Sequence, residues 1–129
     1  MAKKLTQNNK IGVIGENIVT RFLQKEGFQV KDRNYSKKWG EIDIVAEKEG
    51  ILHFVEVKAV SCEKISHETS LAHAAENVHL EKLKRLQRVI QTYLLEKQVD
   101  GEWEFDVLLV GVDLSSKRSK VEALWNVVL

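Results

Sequence analysis

The apolar positions of this chain recur with two periods, and the changes of period mark its elements. Ile11, Ile14, Ile18 and Phe22 repeat at helical spacing, with Val19 and Leu23 widening the stripe. This predicts a helix from Lys10 to Glu26, after a polar lead-in over residues 1–9, with Asn8 or Asn9 as N-cap and Gly27 as the C′ glycine. Gly12 and Gly15 would let that helix lie close to a sheet. Strands are expected over Phe28–Tyr35, Glu41–Glu47 and Ile51–Val60, then a polar loop over 61–75. A second helix is predicted from Glu76 to Lys97, with a seam of Leu83, Leu86, Ile90 and Leu94 joined by Val89 and Tyr93. After the Asp100-Gly101 turn, Trp103–Gly111 reads as a central strand, because it is almost continuously apolar. Ser115–Ser119 reads as a hairpin-like loop and Val121–Val128 as the last strand. The order helix, three strands, helix, two strands gives an α/β or α+β architecture around one mixed sheet. The second helix would serve as the crossover between the third and fourth strands.

Two segments put charge inside this apolar pattern: Gly40-Glu41-Ile42-Asp43-Ile44-Val45 and Phe54-Val55-Glu56-Val57-Lys58. Side chains alternate along a strand, so Glu41, Asp43 and Val45 should share one face, and Phe54, Glu56 and Lys58 should share one face. With Lys48 and Glu49 as the tip of a hairpin, Asp43 would face Phe54 and Glu41 would face Glu56. Asp43 and Glu56 would then be diagonal neighbours, within reach of one ion. Unpaired buried charge is unfavourable, and a divalent cation between the two acids would reverse the sign.

At 129 residues the chain is expected to form one domain. Its net charge of +1 argues against a chain coated in basic residues, but not against a nucleic-acid enzyme whose acidic site offsets a basic patch. No apolar run is long enough to span a bilayer, and the basic N-terminus lacks an apolar core, so the expected compartment is the cytoplasm. Cys62 is the single cysteine. With His67, His73 and His79 it matches no zinc-finger spacing. The chain has no proline where about six would be usual, which leaves open a redesigned scaffold.

Hard ions such as Mg²⁺ take carboxylate oxygens, polarise water and neutralise phosphate charge. Asp43 and Glu56 fit that chemistry, and Lys58 could orient the attacking water or stabilise the transition state. Glu16 sits at the edge of the first helix's apolar stripe. Glu41 could support the site or bind basic residues of the first strand. Lys37 and Lys38 could grip a phosphate backbone, with Trp39 stacking on a base. Lys82 leans inward from the second helix, with Arg85 at the edge of the same face, and both could contact nucleic acid.

The spacing Asp43…Glu56-x-Lys58 resembles the PD-(D/E)XK nuclease superfamily. Together with Gly15-Glu16, Gly27, Asn34, Gly40-Glu41-Ile42-Asp43 and Lys82-Leu83-Lys84-Arg85-Leu86, it resembles the YraN-like family over roughly residues 10 to 112. That family is akin to Holliday-junction resolvases. The resemblance implies a restriction-endonuclease-like single domain and a Mg²⁺- or Mn²⁺-dependent endonuclease acting on DNA, branched DNA included, in some relatives as a homodimer. By the same resemblance Asp43, Glu56 and the Val57 carbonyl would hold the metal, Lys58 would be the catalytic lysine, and Glu16 would join from the helix. The alternatives are a nucleic-acid-binding module of this fold with little turnover, or a scaffold without a ligand.

Overall fold

The computed structural model describes residues 7–63, 65, 70–71 and 80–129. The elements are α1 (Gln7–Lys25), β1 (Gln29–Lys37), β2 (Gly40–Lys48), β3 (Ile51–Ser61), α2 (Leu80–Glu96), β4 (Trp103–Asp113) and β5 (Arg118–Leu124). The strands form one sheet in the order β1-β2-β3-β4-β5, antiparallel except for the parallel pair β3–β4. This is an α/β mixed sheet with the element order of a restriction-endonuclease-like fold, and α2 lies in the connection between the two parallel strands. No helix among the described residues is long and apolar enough to cross a membrane.

Helix α1 begins before its predicted start, so Asn8 and Asn9 lie in its first turn instead of capping it. Its end is as expected: Phe28 N–H bonds to the Leu23 carbonyl at 2.9 Å and Gly27 N–H to that of Gln24 at 3.1 Å, closing a Schellman motif. The predicted start of α2 at Glu76 lies outside the described residues. It ends with the same device, Val99 N–H on the Leu94 carbonyl at 2.9 Å, with Gln98 at φ 52°.

The helices cover opposite faces of the sheet. Ile11, Val19 and Leu23 of α1 pack on Ile44, Ala46, Val55, Leu108 and Val110. Leu86, Val89, Ile90 and Tyr93 of α2 pack on Ile42, Val45, Phe54, Val107 and Leu109. Alternation in β3 separates the two cores, since Phe54 belongs to one and Val55 to the other. Strand β4 is interior, as its apolar run predicts, but β3 holds the middle of the sheet.

The hairpin differs from the predicted register by two residues. Lys48 pairs with Ile51, and Val45 rather than Asp43 faces Phe54. The reason is the turn: Glu49 (φ 52°) and Gly50 (φ 80°) form its tip, the left-handed pair that a tight two-residue hairpin requires. A two-residue slip keeps every side chain on its face. A second departure is that β2 does not alternate evenly. Ile42 and Val45 both face α2, while Ile44 and Ala46 face α1, so the chain rotates at Asp43. Strand β5 is also earlier than predicted. Asn126, at φ 53°, turns the chain beyond it, and its N–H is held by Asp106 at 2.8 Å.

Candidate active site

The rotation at Asp43 has a counterpart on β1. The β1–β2 ladder runs Arg33↔Ile44 and then Tyr35↔Ile42, stepping over Asn34 and Asp43, and Asn34 is in the left-handed region at φ 52°. On the other side the β2–β3 ladder reaches Ile44↔Val55, the pair before Asp43. Freed from regular pairing, the Asp43 carboxylate turns to β3 and accepts the Val57 N–H at 2.8 Å. Glu56 is the adjacent residue on β3 and is buried. Asp43 and Glu56 line one cavity of about 350 Å³, together with Gly40 and Glu41 of β2 and Lys82, Arg85 and Leu86 of α2.

The electrostatics of this cavity are unfavourable to an ionised Asp43. Burial pushes the Asp43 carboxyl up to about 8, and the neighbouring charges of Glu56 and Glu16 push in the same direction, against the Val57 N–H. The Lys82 ammonium forms an ion pair with Glu56. The α2 cation therefore sits on one acid of the pair, and Asp43 is left as the acid that resists ionisation.

Glu16 reaches this corner from α1. Gly15 presses that helix onto the sheet: a Cβ there would stand 2.6 Å from the Ala59 Cβ and 2.9 Å from Val110 Cγ1. The Asn34 amide donates to Glu16 (3.2 Å to Oε2) and to Glu41 (3.0 Å to Oε1), and the Arg33 guanidinium lies 3.9 Å from Glu16. Glu41 thus supports the corner through Asn34, and Glu16 touches the Asp43 carboxyl.

Lys58 follows Glu56 on the same face of β3, half-buried, in register with Leu109 of the α2-side core. Lys82 and Arg85 open onto the acidic cavity. The β1–β2 connector is placed differently. Lys37 is held by Glu96 at 2.6 Å, Lys38 is exposed, and Trp39 packs against the α2-side core with the Arg88 guanidinium 4.3 Å over its ring. The ring expected to stack on a base already carries a cation from within the protein.

The sequence pattern described as Uncharacterised protein family UPF0102 matches residues 15–110, a span holding Glu16, Asp43, Glu56, Lys58, Lys82 and Arg85. The chain belongs to the UPF0102 family. A UPF0102 protein of Campylobacter jejuni (strain 81-176) is 34% identical over 103 residues, covering 80% of this chain and 85% of the relative. One from Campylobacter hominis is 34% identical over 120 residues, covering 93% and 95%. One from Alkaliphilus oremlandii is 32% identical over 120 residues, covering 92% and 97%. This membership agrees with the YraN-like motif pattern.

Two features of this UPF0102 chain escape a reading of its sequence. The first is the bridging amide of Asn34: the motif pattern includes this residue, but its link between Glu16 and Glu41 comes only from the fold. Asn34→Gly keeps the left-handed backbone and loses the bridge, whereas Asn34→Ala loses both. Chemical denaturation should find Asn34→Ala less stable than Asn34→Gly by about 1 kcal/mol, the cost of a left-handed alanine. The second is a group on the other face of the sheet, His53, Glu104 and Asp106, whose donor atoms lie within 4.8 Å of one another and could hold a metal ion.

Proposed function

We propose that this protein is a metal-dependent nuclease of the PD-(D/E)XK kind that hydrolyses phosphodiester bonds in DNA. The reading is carried by the convergence of Asp43 and Glu56 on one cavity faced by Lys82 and Arg85. The half-buried Asp43 and the buried Glu56, whose charge raises the proton affinity of Asp43, form a donor set suited to a hard divalent cation. Asp43 and Glu56 would hold Mg²⁺ or Mn²⁺, with Glu16 behind them and the Val57 peptide at their side. Such an ion, when bound, supplies Lewis acidity and a water of lowered pKa.

The chain's own groups account for the rest of the chemistry. Lys58, on the face of Glu56, would orient the attacking water and stabilise charge gathering on the phosphate oxygens. Lys82 would exchange its contact with Glu56 for a backbone phosphate, and Arg85 beside it would take a second phosphate.

The test is a panel of duplex, single-stranded, flapped and four-way-junction DNA, incubated with Mg²⁺, Mn²⁺ or chelator. Metal-dependent cleavage is expected on at least one form, and Lys58→Ala should abolish it. Cleavage that persists unchanged in Lys58→Ala defeats the mechanism. Metal-dependent DNA binding without cleavage would instead establish a binding module built on this fold.

A further inference from the structure

Strands β3 and β4 bring three ionisable side chains together on the face opposite the acidic cavity. His53 is the register partner of Glu104, and Val55 of Asp106, so His53, Glu104 and Asp106 lie side by side across the parallel pair. Asp106 is fully buried and His53 is 7% exposed. The His53 Nδ1 is 2.7 Å from Asp106 Oδ2, while Asp106 Oδ1 accepts the Asn126 N–H at 2.8 Å. His53 is therefore clamped by a carboxylate that is itself clamped. Its other nitrogen, Nε2, stands 3.8 Å from Glu104 Oε1.

His53 and Glu104 open onto a cavity of about 390 Å³, rimmed by Glu26, Lys48, Glu49 and Trp125. Phe28 lies edge-on to His53 at 4.8 Å, and Trp125 stacks on Phe28 at 5.7 Å. Lys48 lays its ammonium over the Phe28 ring at 5.1 Å. Nothing in the nuclease reading uses this pocket.

We propose that this pocket is a second metal site, for a borderline divalent ion of the Zn²⁺ class. His53 Nε2 and Glu104 are the protein ligands, and Asp106 fixes the imidazole from behind. The carboxylate–histidine pair is the support that metal-bound histidines usually have, since a proton held on Nδ1 leaves the Nε2 lone pair facing outward. Imidazole nitrogen plus carboxylate oxygen suits Zn²⁺ better than Mg²⁺. Metal–ligand bonds of about 2.1 Å in a tetrahedral shell put neighbouring donors roughly 3.4 Å apart, so the 3.8 Å gap needs only a small contraction. Water from the cavity completes the shell.

Charge balance favours the ion over a bare histidine pair. A protonated His53 would leave the two carboxylates with one net negative charge in a buried setting, whereas a dication with neutral His53 leaves none. The ion would tie β3 to β4 at the floor of this pocket, beneath the Trp125 ring.

The experiment is a calorimetric titration of the full-length Asp43→Asn protein with Zn²⁺ at neutral pH, which leaves the acidic cavity crippled and this pocket intact. One equivalent should bind, at least tenfold more weakly in Glu104→Gln and in His53→Gln. Equal affinity in either folded variant, or no binding by the parent, overturns the proposal. Because a buried histidine variant can fail to fold, Co²⁺ is also added to the Asp43→Asn protein itself. Paramagnetic broadening should strike the Trp125 indole resonance, assigned with Trp125→Phe, before those of Trp39 and Trp103. Broadening of Trp39 first would place the ion elsewhere and also defeat the proposal. The outcome is independent of DNA cleavage, so this site and the nuclease reading succeed or fail separately.

Discussion

Asp43→Asn should remove metal-dependent cleavage and at the same time raise the melting temperature of the metal-free protein at pH 8. The two effects have one origin. The carboxyl stands among Glu56 and Glu16 in a desolvated corner, with its pKa raised from 3.8 to about 8. A raised folded pKa means the native state holds the proton more tightly than the unfolded chain. Its stabilising contribution is complete below about pH 4 and is lost as pH rises toward 8. Asparagine keeps an oxygen for the Val57 N–H and never ionises. The gap between variant and wild type should therefore be near zero at pH 4 and grow to about 1–2 kcal/mol at pH 8, roughly 5 °C, after allowance for solvent screening. Adding Mn²⁺ should reverse the order, because only the wild type has both acids to bind it. The activity loss should be on the order of 10²–10³-fold, the scale seen when one electrostatic contributor to a transition state is deleted. Thermal melts at three pH values, with and without Mn²⁺, run beside a cleavage assay, check every part. A variant less stable than wild type at pH 8 without metal would remove the strain attributed to this corner.

The second large effect is expected at Gly15. A methyl group there would meet Ala59 at 2.6 Å and Val110 at 2.9 Å, and the Ala59 contact is with a Cβ fixed to the backbone of β3. No rotamer change can relieve that clash, so α1 must lift from the sheet. Overpacking of this kind usually costs 1–3 kcal/mol, and Gly15→Ala belongs near the top of that range. Lifting the helix also withdraws Glu16, the next residue, from Asn34 and Asp43. Chemical denaturation should show the stability loss, and cleavage should fall by more than the unfolded fraction explains. An alanine variant as stable and active as the wild type would mean the helix approach does not position Glu16.

The sequence makes some parts of this molecule plain and leaves others silent for physical reasons. The stripe Ile11–Leu23 and the seam Leu83–Leu94 are visible because helix burial imposes a period, and both helices lie where that period places them. The acids Asp43 and Glu56 stand out because charge in a buried strand is rare, and one cavity does gather them. The hairpin register is not visible, because Lys48, Glu49 and Gly50 are all turn-compatible and only backbone dihedrals choose among them. The rotation at Asp43 is hidden for a similar reason: it depends on Asn34 of another strand adopting a left-handed conformation. The pocket at His53 is the instructive omission. Glu104 and Asp106 interrupt Trp103–Gly111 at the same two-residue spacing as Glu56 and Lys58 do in β3, but they lack a family pattern to draw the eye. Only the parallel register brings His53 beside them.

The two acids of the cleft belong to consecutive strands of one hairpin, while the ammonium resting on Glu56 comes from the crossover helix α2. A β2–β3 hairpin grafted into another scaffold would carry the repulsion without its remedy. The smallest transplantable unit of this chemistry therefore includes the crossover helix, and any insertion tolerated in the connection between them must still let Lys82 come home.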